Sequence, residues 1–487
     1  MDLASNYEIS RTAEFIHNRK FTKVALQFPD ELLKDSTRVV SALRDDLHKL
    51  VKDSDSRNVA QLFVMADTTY GSCCVDEVGA SHVDADCVVH YGHTCLSPTS
   101  TLPALFVFGK SSIDEYDCTR SLSNCFLTTD KSVLVLYGLE YAHGLNRIKE
   151  SVMLDGSKSS TVPCYAEVIE SVIAPSDDKD TFNVQRPSSL AGNKYSIGGL
   201  TWELPEGRSI EEYMIFWIGS DNAAFANVVL TFNSNEIVRY DPIKNHLVKD
   251  SLQQQKILRR RYFLVEKAKD ANIIGILVGT LGVAGYRHMI QQMKDLIVGA
   301  GKKAYTLVMG KPNPAKLANF PECDIFIYVS CPQTALLDSK EFFSPIITPF
   351  EAILALKRGS QWTGKYVLEF RDLIDKSPIE VNASSEARFS FLKGGYIEDS
   401  DLQDTASGEG EEERAIILLA EETQKALQVR DTSSSNVIVR GKATSGLDYF
   451  NARSFHGLEI HENNPLPPSV VVGRSGRAAG YGHELNK

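Results

Sequence analysis

The sequence has few cysteines and no excess of positive charge. Nine cysteines are spread over 487 residues, and 52 basic against 63 acidic residues leave a formal net charge of −11. Proteins that bind nucleic acids in general usually carry a basic face, so this balance argues against that class. Hydrophobic residues make up 43% of the chain, which is normal for a globular protein, and the length predicts more than one core.

Long apolar segments are also missing. The N-terminal segment MDLASNYEISRTAEFIHNRK has no apolar core behind a basic start, which argues against a secretory signal. The longest apolar stretch, residues 272–285, is interrupted by four glycines and is too short to cross a bilayer. We therefore expect a cytoplasmic protein whose cysteines are thiols or metal ligands and not disulfides.

What the sequence does contain is three similar groups of short apolar runs, separated by stretches with helical patterning. Near-continuous apolar strands between helices are typical of parallel sheets covered on both faces. The sequence thus predicts an α/β protein of three similar small domains, each with a mainly parallel four-stranded sheet flanked by helices. The runs begin at residues 23, 61, 87 and 104, at 132, 161, 213 and 236, and at 273, 303, 324 and 345.

We place the three domains at residues 1–128, 129–265 and 266–370, followed by a C-terminal extension, residues 371–487. Within the extension, residues 398–414 (EDSDLQDTASGEGEEER) carry eight acidic side chains and one arginine. Such a segment has too few apolar side chains to build a core, so it predicts a solvated, flexible acidic loop in a partly disordered tail.

Three cysteine positions follow predicted strands. Cys73 and Cys95 follow the second and third runs of the first group, and Cys331 follows the third run of the third group. Loops after parallel strands converge at one sheet edge, where ligands commonly bind. Five other cysteines lie at strand beginnings, inside a run or in a linker, and we expect them to fill cores: Cys87, Cys118, Cys125, Cys164 and Cys323.

Zinc and iron–sulfur centres both need several thiolates. Structural zinc sites usually use paired ligands such as C-x₂-C, and the sequence contains no such pair. Three widely separated thiols suit a [4Fe–4S] cluster better, with one iron left open or held by another ligand. Spacing alone also permits that the strand-end cysteines are simply buried small hydrophobic residues.

Polar neighbours of these cysteines fit a metal site as well. His90 and His93 precede Cys95, and an imidazole there could donate a hydrogen bond to a sulfur. Asp76 and Glu77 follow the adjacent pair of cysteines and could cap the next helix.

Two glycine-containing segments fail to match phosphate-binding loops. Residues 278–286 (VGTLGVAGY) follow a predicted strand, but their glycine spacing differs from the G-x-G-x-x-G fingerprint. Residues 299–303 (GAGKK) end a predicted helix and precede a strand, which is the reverse of the P-loop order. The sequence therefore does not predict a nucleotide site.

Three segments resemble the diphthamide synthesis family. They are residues 66–110 (ADTTYGSCCVDEVGASHVDADCVVHYGHTCLSPTSTLPALFVFGK), residues 278–286 and residues 328–338 (YVSCPQTALLD), and the resemblance extends from about residue 10 to residue 370. It implies three homologous α/β domains, each giving one cysteine to a central [4Fe–4S] cluster.

The resemblance also implies an activity. In catalytic members of the family, the open iron binds S-adenosylmethionine, and reduction releases a 3-amino-3-carboxypropyl radical that attacks a histidine of translation elongation factor 2. This is the first step of diphthamide biosynthesis. The chain would form a heterodimer with a catalytic paralogue and relay electrons from a small metal-binding electron donor. The alternative is a scaffold without a cluster that holds the paralogue and the elongation factor.

The middle domain departs from the family pattern. Where the resemblance predicts a Gly-Cys-Thr turn, Gly198 and Gly199 stand, and Cys164 lies in an apolar run instead. The chain therefore lacks the middle thiol, which argues against independent catalysis, and we predict no catalytic residue.

The predicted metal ligands are consequently drawn from the first and third domains. Cys73 and Cys331 match the family motifs, and Cys95, in this branch's own first-domain motif, is the predicted third ligand. Cys74 is an alternative, but two adjacent residues rarely point at one site.

Overall fold

The computed structural model of the chain describes residues 2–50, 59–65, 70–154, 163–175, 194–249, 251–337, 341–357, 359–362, 364–374, 388–390 and 394–397. These residues form three mainly parallel β-sheets with helices packed against them. The predicted α/β fold class is therefore confirmed.

The first sheet has the strand order β2-β1-β3-β4-β8, in which the first four strands are parallel and β8 is antiparallel to β4. Helix α2 packs on α4, and its buried residues Ile9, Ala13 and Ile16 recur at the spacing of one helical face. The elements are α1 (Leu3–Asn6), α2 (Ile9–Asn18), β1 (Lys23–Gln27), α3 (Asp30–Leu33), α4 (Ser36–Leu50), β2 (Gln61–Val64), α5 (Glu77–Ser81), β3 (Cys87–Tyr91), β4 (Ala104–Val107) and β8 (Val172–Ile173).

The second sheet has the order β13-β12-β11-β5-β6, with only β13 antiparallel to its neighbour. All six residues of the central strand β11 are buried, as a strand covered on both faces requires. The elements are α6 (Glu115–Thr128), β5 (Ser132–Tyr137), a 3₁₀ helix (Leu139–Gly144), α7 (Leu145–Leu154), β6 (Cys164–Tyr165), a second 3₁₀ helix (Ile210–Glu212), β11 (Tyr213–Ile218), α8 (Ala223–Thr231), β12 (Ile237–Asp241) and β13 (His246–Val248).

A small antiparallel sheet, β7-β10-β9, was not expected from the sequence. Its strands are only two to four residues long and partly polar, and two of them fall outside the apolar runs, whereas the run that begins at residue 161 is divided between β6 and β7. They are β7 (Glu167–Val168), β9 (Lys194–Ile197) and β10 (Leu200–Glu203).

The third sheet has the order β15-β14-β16-β17 and is parallel throughout. The apolar run at 345–356 was expected to be a strand, but only two of its residues are. Thr348 and Glu351 then form a capping box with Pro349 in the first turn, so the run continues as a helix. The elements are α9 (Ser251–Lys269), β14 (Ile273–Val278), α10 (Tyr286–Gly299), β15 (Lys303–Val308), α11 (Pro314–Leu317), β16 (Ile325–Val329), β17 (Ile346–Ile347), α12 (Pro349–Leu356) and α13 (Phe370–Leu373).

A buried ion pair joins α9 to α12. Arg261 donates from Nε to Glu351 Oε1 at 2.6 Å and from Nη2 to Oε2 at 2.5 Å, and both side chains are at most 5% exposed. The Thr348 amide donates to the same carboxylate at 2.8 Å. The two charges are thus fully hydrogen-bonded to each other, which a buried pair needs in order to offset its desolvation.

The domain limits proposed from the sequence stay a prediction. Strand β8, at Val172–Ile173, returns to the first sheet after the chain has begun the second. Within 371–487 the structure describes one antiparallel pair, β18 (Arg388–Ser390) and β19 (Gly395–Ile397). The acidic loop 398–414 lies outside the described residues. Within the described ranges, every helix is too short or too polar to cross a bilayer.

Candidate metal centre

Four cysteine sulfurs meet between the first and third sheets. The Sγ atoms of Cys73, Cys74, Cys95 and Cys331 all lie within 4.8 Å of one another. Cys73 Sγ is 3.3 Å from Cys331 Sγ, and Cys95 Sγ is 3.8 Å from Cys74 Sγ. None of the four residues is more than 6% exposed, so their thiols are almost completely shielded from water.

The three predicted ligands therefore come together, as loops at the carboxyl ends of parallel strands do. The structure adds Cys74, which the sequence analysis kept only as an alternative. The Cys74 amide donates to the Gly71 carbonyl at 3.2 Å, which closes a tight turn. In such a turn the side chains do not alternate as they do in a strand, so both adjacent thiols can face one site.

Buried polar groups hold the two cysteine loops of the first sheet together. The Gln27 amide on β1 donates to the Cys74 carbonyl at 2.8 Å, and its oxygen accepts from the Asp76 amide at 2.9 Å. The Cys95 amide donates to the Cys73 carbonyl at 3.1 Å. These bonds fix the backbone on which three of the four thiols are carried.

The two acidic residues after the cysteines have different roles. Asp76 caps α5 by accepting from the Gly79 amide at 2.8 Å, as expected from the sequence. The buried carboxylate of Glu77 instead accepts from the amides of Ser100, Thr101 and Leu102 at 2.6–2.9 Å. Glu77 therefore fixes the loop that continues from Cys95.

The two histidines near Cys95 do not contact sulfur in the described hydrogen bonds. His90 is fully buried, and its Nε2 lies 2.9 Å from the Ser72 carbonyl, to which the neutral imidazole donates. Burial lowers the pKa of His90 to about 4, so the ring stays neutral near pH 7. His93 is exposed. His90 thus positions the cysteine turn and does not bond to its thiols.

The third sheet covers the cluster with residues 278–286, the glycine-containing loop that does not match a phosphate loop. After β14, the Thr280 hydroxyl donates to Cys74 Sγ at 3.6 Å. A Cβ on Gly282 would lie only 2.0 Å from the Val75 carbonyl oxygen, so glycine is required for the loop to approach this closely. After β16, Thr334 Oγ1 lies 3.3 Å from Cys331 Sγ.

The cysteine thiols of the cluster differ in how readily they lose a proton. Hydrogen bonding to Cys331 raises the pKa of Cys73 and Cys74 well above the usual range. The same bonds, above all that from Cys73, lower the pKa of Cys331 well below it. Of these three thiols Cys331 therefore ionises most readily, and a bound cation would let Cys73 and Cys74 lose their protons as well.

The middle of the chain approaches this centre without a thiol. Gly198 and Gly199 have positive φ angles of 56° and 87°, and a Cβ on Gly199 would lie 2.4 Å from Leu96 Cδ1. Cys164 is half-buried on β6, with its Sγ 3.8 Å from the Glu203 carbonyl. The remaining four cysteines are buried in apolar cores away from the cluster, namely Cys87, Cys118, Cys125 and Cys323.

A cavity of about 250 Å³ borders the loops that carry Cys95 and Cys331. Two buried polar atoms in its wall, Gln333 Oε1 and Trp217 Nε1, have no hydrogen-bond partner among the described residues. One is an acceptor and the other a donor, so a small polar molecule could satisfy both.

A family model and curated proteins match most of this chain. The model of the family described as putative diphthamide synthesis protein matches residues 28–367. The chain is 34% identical over 505 residues to 2-(3-amino-3-carboxypropyl)histidine synthase subunit 2 of Danio rerio, covering 100% of this chain and 93% of that protein. It is also 34% identical over 503 residues to the protein of the same name in Schizosaccharomyces pombe, covering 100% and 92%.

Solved structures share the fold. The crystal structure of Dph2 from Pyrococcus horikoshii with a 4Fe-4S cluster superposes with a TM-score of 0.52 at 18% sequence identity. The match covers 74% of this chain and 94% of that one. At this identity the likeness concerns the arrangement of sheets and helices.

Proposed function

The chain belongs to the diphthamide synthesis protein family, and on that premise we propose that it is the iron–sulfur subunit of a 2-(3-amino-3-carboxypropyl)histidine synthase. The enzyme would transfer the 3-amino-3-carboxypropyl group of S-adenosylmethionine to a histidine of translation elongation factor 2. This chain would act as the electron-relay subunit of the enzyme, in the first step of diphthamide biosynthesis.

The observation that carries the proposal is the buried group of four thiols. Cysteine thiolates are the ligands of [4Fe–4S] clusters, and four of them converge here from positions 73 to 331. Cys73 and Cys74 resist ionisation in this buried group, and a bound cation would compensate the charge of their thiolates. The donor set therefore fits an iron–sulfur cluster.

We propose Cys73, Cys95 and Cys331 as ligands, with Cys74 as the fourth. Four protein sulfurs would occupy all four irons of the cluster and leave none open. A cluster without an open iron can carry an electron but cannot bind S-adenosylmethionine through its iron. A fourth ligand at Cys74 thus favours electron relay over independent catalysis by this chain. We expect S-adenosylmethionine to bind the catalytic paralogue.

The proposed partners follow from the same premise. The relatives are named as subunit 2 of the synthase, which supports a heterodimer with a paralogous subunit. The electron donor would be a small metal-binding protein, the substrate would be translation elongation factor 2, and the complex would act in the cytoplasm. When bound, the cluster supplies one-electron chemistry, and this chain's residues hold it, shield it from water and set its distance from the surface.

The test begins with the metal itself. Co-expression with the paralogue and anaerobic purification should give a brown complex, and this chain should retain iron and sulfide when isolated. Serine replacement of Cys73, Cys74, Cys95 or Cys331 should lower the iron content of the chain. Cys87→Ser and Cys323→Ser are matched controls, since both thiols are buried in apolar cores outside the cluster.

A second candidate is a scaffold subunit with a structural zinc ion and no cluster, and the sulfur spacing favours it. Zinc–sulfur bonds of about 2.3 Å in a tetrahedron place the sulfurs about 3.8 Å apart. The Sγ–Sγ separations of 3.3 Å between Cys73 and Cys331 and 3.8 Å between Cys95 and Cys74 are close to that value, whereas a four-iron cube needs sulfurs further apart. A colourless complex with one zinc per chain, and unchanged modification of the elongation factor in the serine variants, would replace the first proposal by this one.

A further inference from the structure

Two threonines of the third sheet's loops touch the sulfur cluster. Thr280 is fully buried, and its hydroxyl donates to Cys74 Sγ at 3.6 Å. Thr334 lies one turn after Cys331, and its hydroxyl oxygen is 3.3 Å from Cys331 Sγ. Each of these two sulfurs therefore has a hydroxyl within hydrogen-bonding distance.

A further contact orients the Thr280 hydroxyl as a donor, and Thr334 has a second hydroxyl neighbour. The Gly282 amide donates to Thr280 Oγ1 at 3.3 Å, which occupies a lone pair of that oxygen and leaves its proton for Cys74. The Ser330 hydroxyl donates to the Gly279 carbonyl at 3.4 Å and also contacts Thr334 Oγ1, so the Thr334 proton has two acceptors, Ser330 Oγ and Cys331 Sγ. A sulfur bound to a metal has no proton, so in a metal-loaded site a hydrogen bond between either threonine and its sulfur is donated by the threonine. Chains of hydrogen bonds of this kind strengthen one another.

We propose that Thr280 and Thr334 tune the electron affinity of the metal centre by donating hydrogen bonds to the sulfurs of Cys74 and Cys331. The inference rests on the proposed function, because it assumes that these sulfurs bind a redox-active metal. Hydrogen bonds to ligand sulfurs are one of the factors that set the potential of iron–sulfur clusters. Reduction adds negative charge, and a donor stabilises the more negative state, so both threonines raise the reduction potential.

A purely structural role makes a different prediction. If the threonines only fill space, valine should replace them without electronic effect, because valine has nearly the same shape. Serine keeps the hydroxyl but lacks the methyl group. The serine variants should therefore keep the wild-type reduction potential, although they lose the packing contacts of the methyl group. Thr119 is the matched control, because it is buried and its hydroxyl donates to the Glu115 carbonyl within α6 and not to a sulfur.

The experiment is a dye-mediated redox titration of the full chain, reconstituted with iron and sulfide under anaerobic conditions and followed by EPR. Thr280→Val and Thr334→Val should each lower the potential, so that the ratio of reduced to oxidised cluster at a fixed poise falls about threefold to tenfold, as expected for one lost hydrogen bond. The double variant should fall further. The serine variants and Thr119→Val should match the wild type.

Equal potentials in the wild type and the double valine variant, both with full iron content, would overturn the inference. A chain that takes up no iron would refute the proposed function, and cobalt(II) then provides an independent test of the threonines. Without the hydroxyls, the thiolate-to-cobalt charge-transfer band should move to longer wavelength, and an unmoved band overturns the inference. Failure to bind either metal overturns both proposals.

Discussion

Replacing Gly282 by alanine adds one methyl group at the contact between the third-sheet loop and the cysteine turn. The added Cβ would lie 2.0 Å from the Val75 carbonyl oxygen, a backbone atom that cannot rotate away. Ordinary contacts begin at about 3.4 Å, so the two loops must separate by more than 1 Å. Overpacking of this kind costs about 1–3 kcal/mol. The separation would also pull Thr280 away from Cys74.

We therefore expect Gly282→Ala to lose most of its bound metal and to unfold at lower denaturant concentration. Metal per chain is measured after anaerobic purification, and stability by urea unfolding of the same sample. Gly301→Ala is the control: its φ of +71° makes alanine strained, but no atom lies within 4 Å of the added carbon. Gly301→Ala should lose stability and keep its metal. A Gly282→Ala protein with wild-type metal content would refute the contact between these loops as described.

Three further predictions concern groups that hold the site in place. Arg261→Met leaves the buried Glu351 carboxylate without its cation and should lower the free energy of unfolding in urea by about 3–5 kcal/mol. The double variant Arg261→Met with Glu351→Leu should recover most of that stability, and an equal loss in the single and double variants would contradict the prediction. His90 has a folded pKa of about 4 against about 6.5 when unfolded, so its neutral form contributes fully above pH 6.5, and about 3 kcal/mol is lost as the pH falls towards 4. His90→Gln should remove that part of the pH dependence of unfolding, and an unchanged pH profile would show that another group causes it. Glu77→Ala leaves three loop amides without their acceptor and should cost about 1–3 kcal/mol. Amide hydrogen exchange at residues 100–102 should accelerate, and unchanged protection there would count against the bonds described.

The inner strands of the three large sheets could be predicted because they are buried on both faces. A strand such as β11, YMIFWI, has no polar face and therefore stands out as an apolar run. The short strands β9 and β10 have half-exposed residues and no such signal. The prediction of a strand at 345–356 was wrong beyond Ile347, where a helix follows. Thr348 and Glu351, three residues apart, form the capping pair that indicates a helix start in the sequence.

The candidate site was predicted in part. The positions of Cys73, Cys95 and Cys331 after parallel strands were sufficient to place them at converging loops. Cys74 was predicted only as an alternative ligand because side chains alternate in strands, yet it lies in a turn begun by Gly71, where that rule does not hold. The glycine spacing of 278–286 excluded a phosphate loop, and the resemblance of this segment to the diphthamide synthesis family gave its glycines no role. Its real function, close contact with another loop, depends on a tertiary neighbour, Val75, that the local sequence does not contain.

The distance in sequence between Cys73 and Cys331 has a consequence for synthesis in the cell. A metal bound by both cysteines would cross-link positions 258 residues apart in the chain, and removing the metal would remove that cross-link. While the ribosome has made only the first two sheets, the nascent protein offers an incomplete set of sulfurs. Loading of a metal at the proposed site would then wait until the third sheet has emerged and docked, so that metal content would report complete folding of the chain.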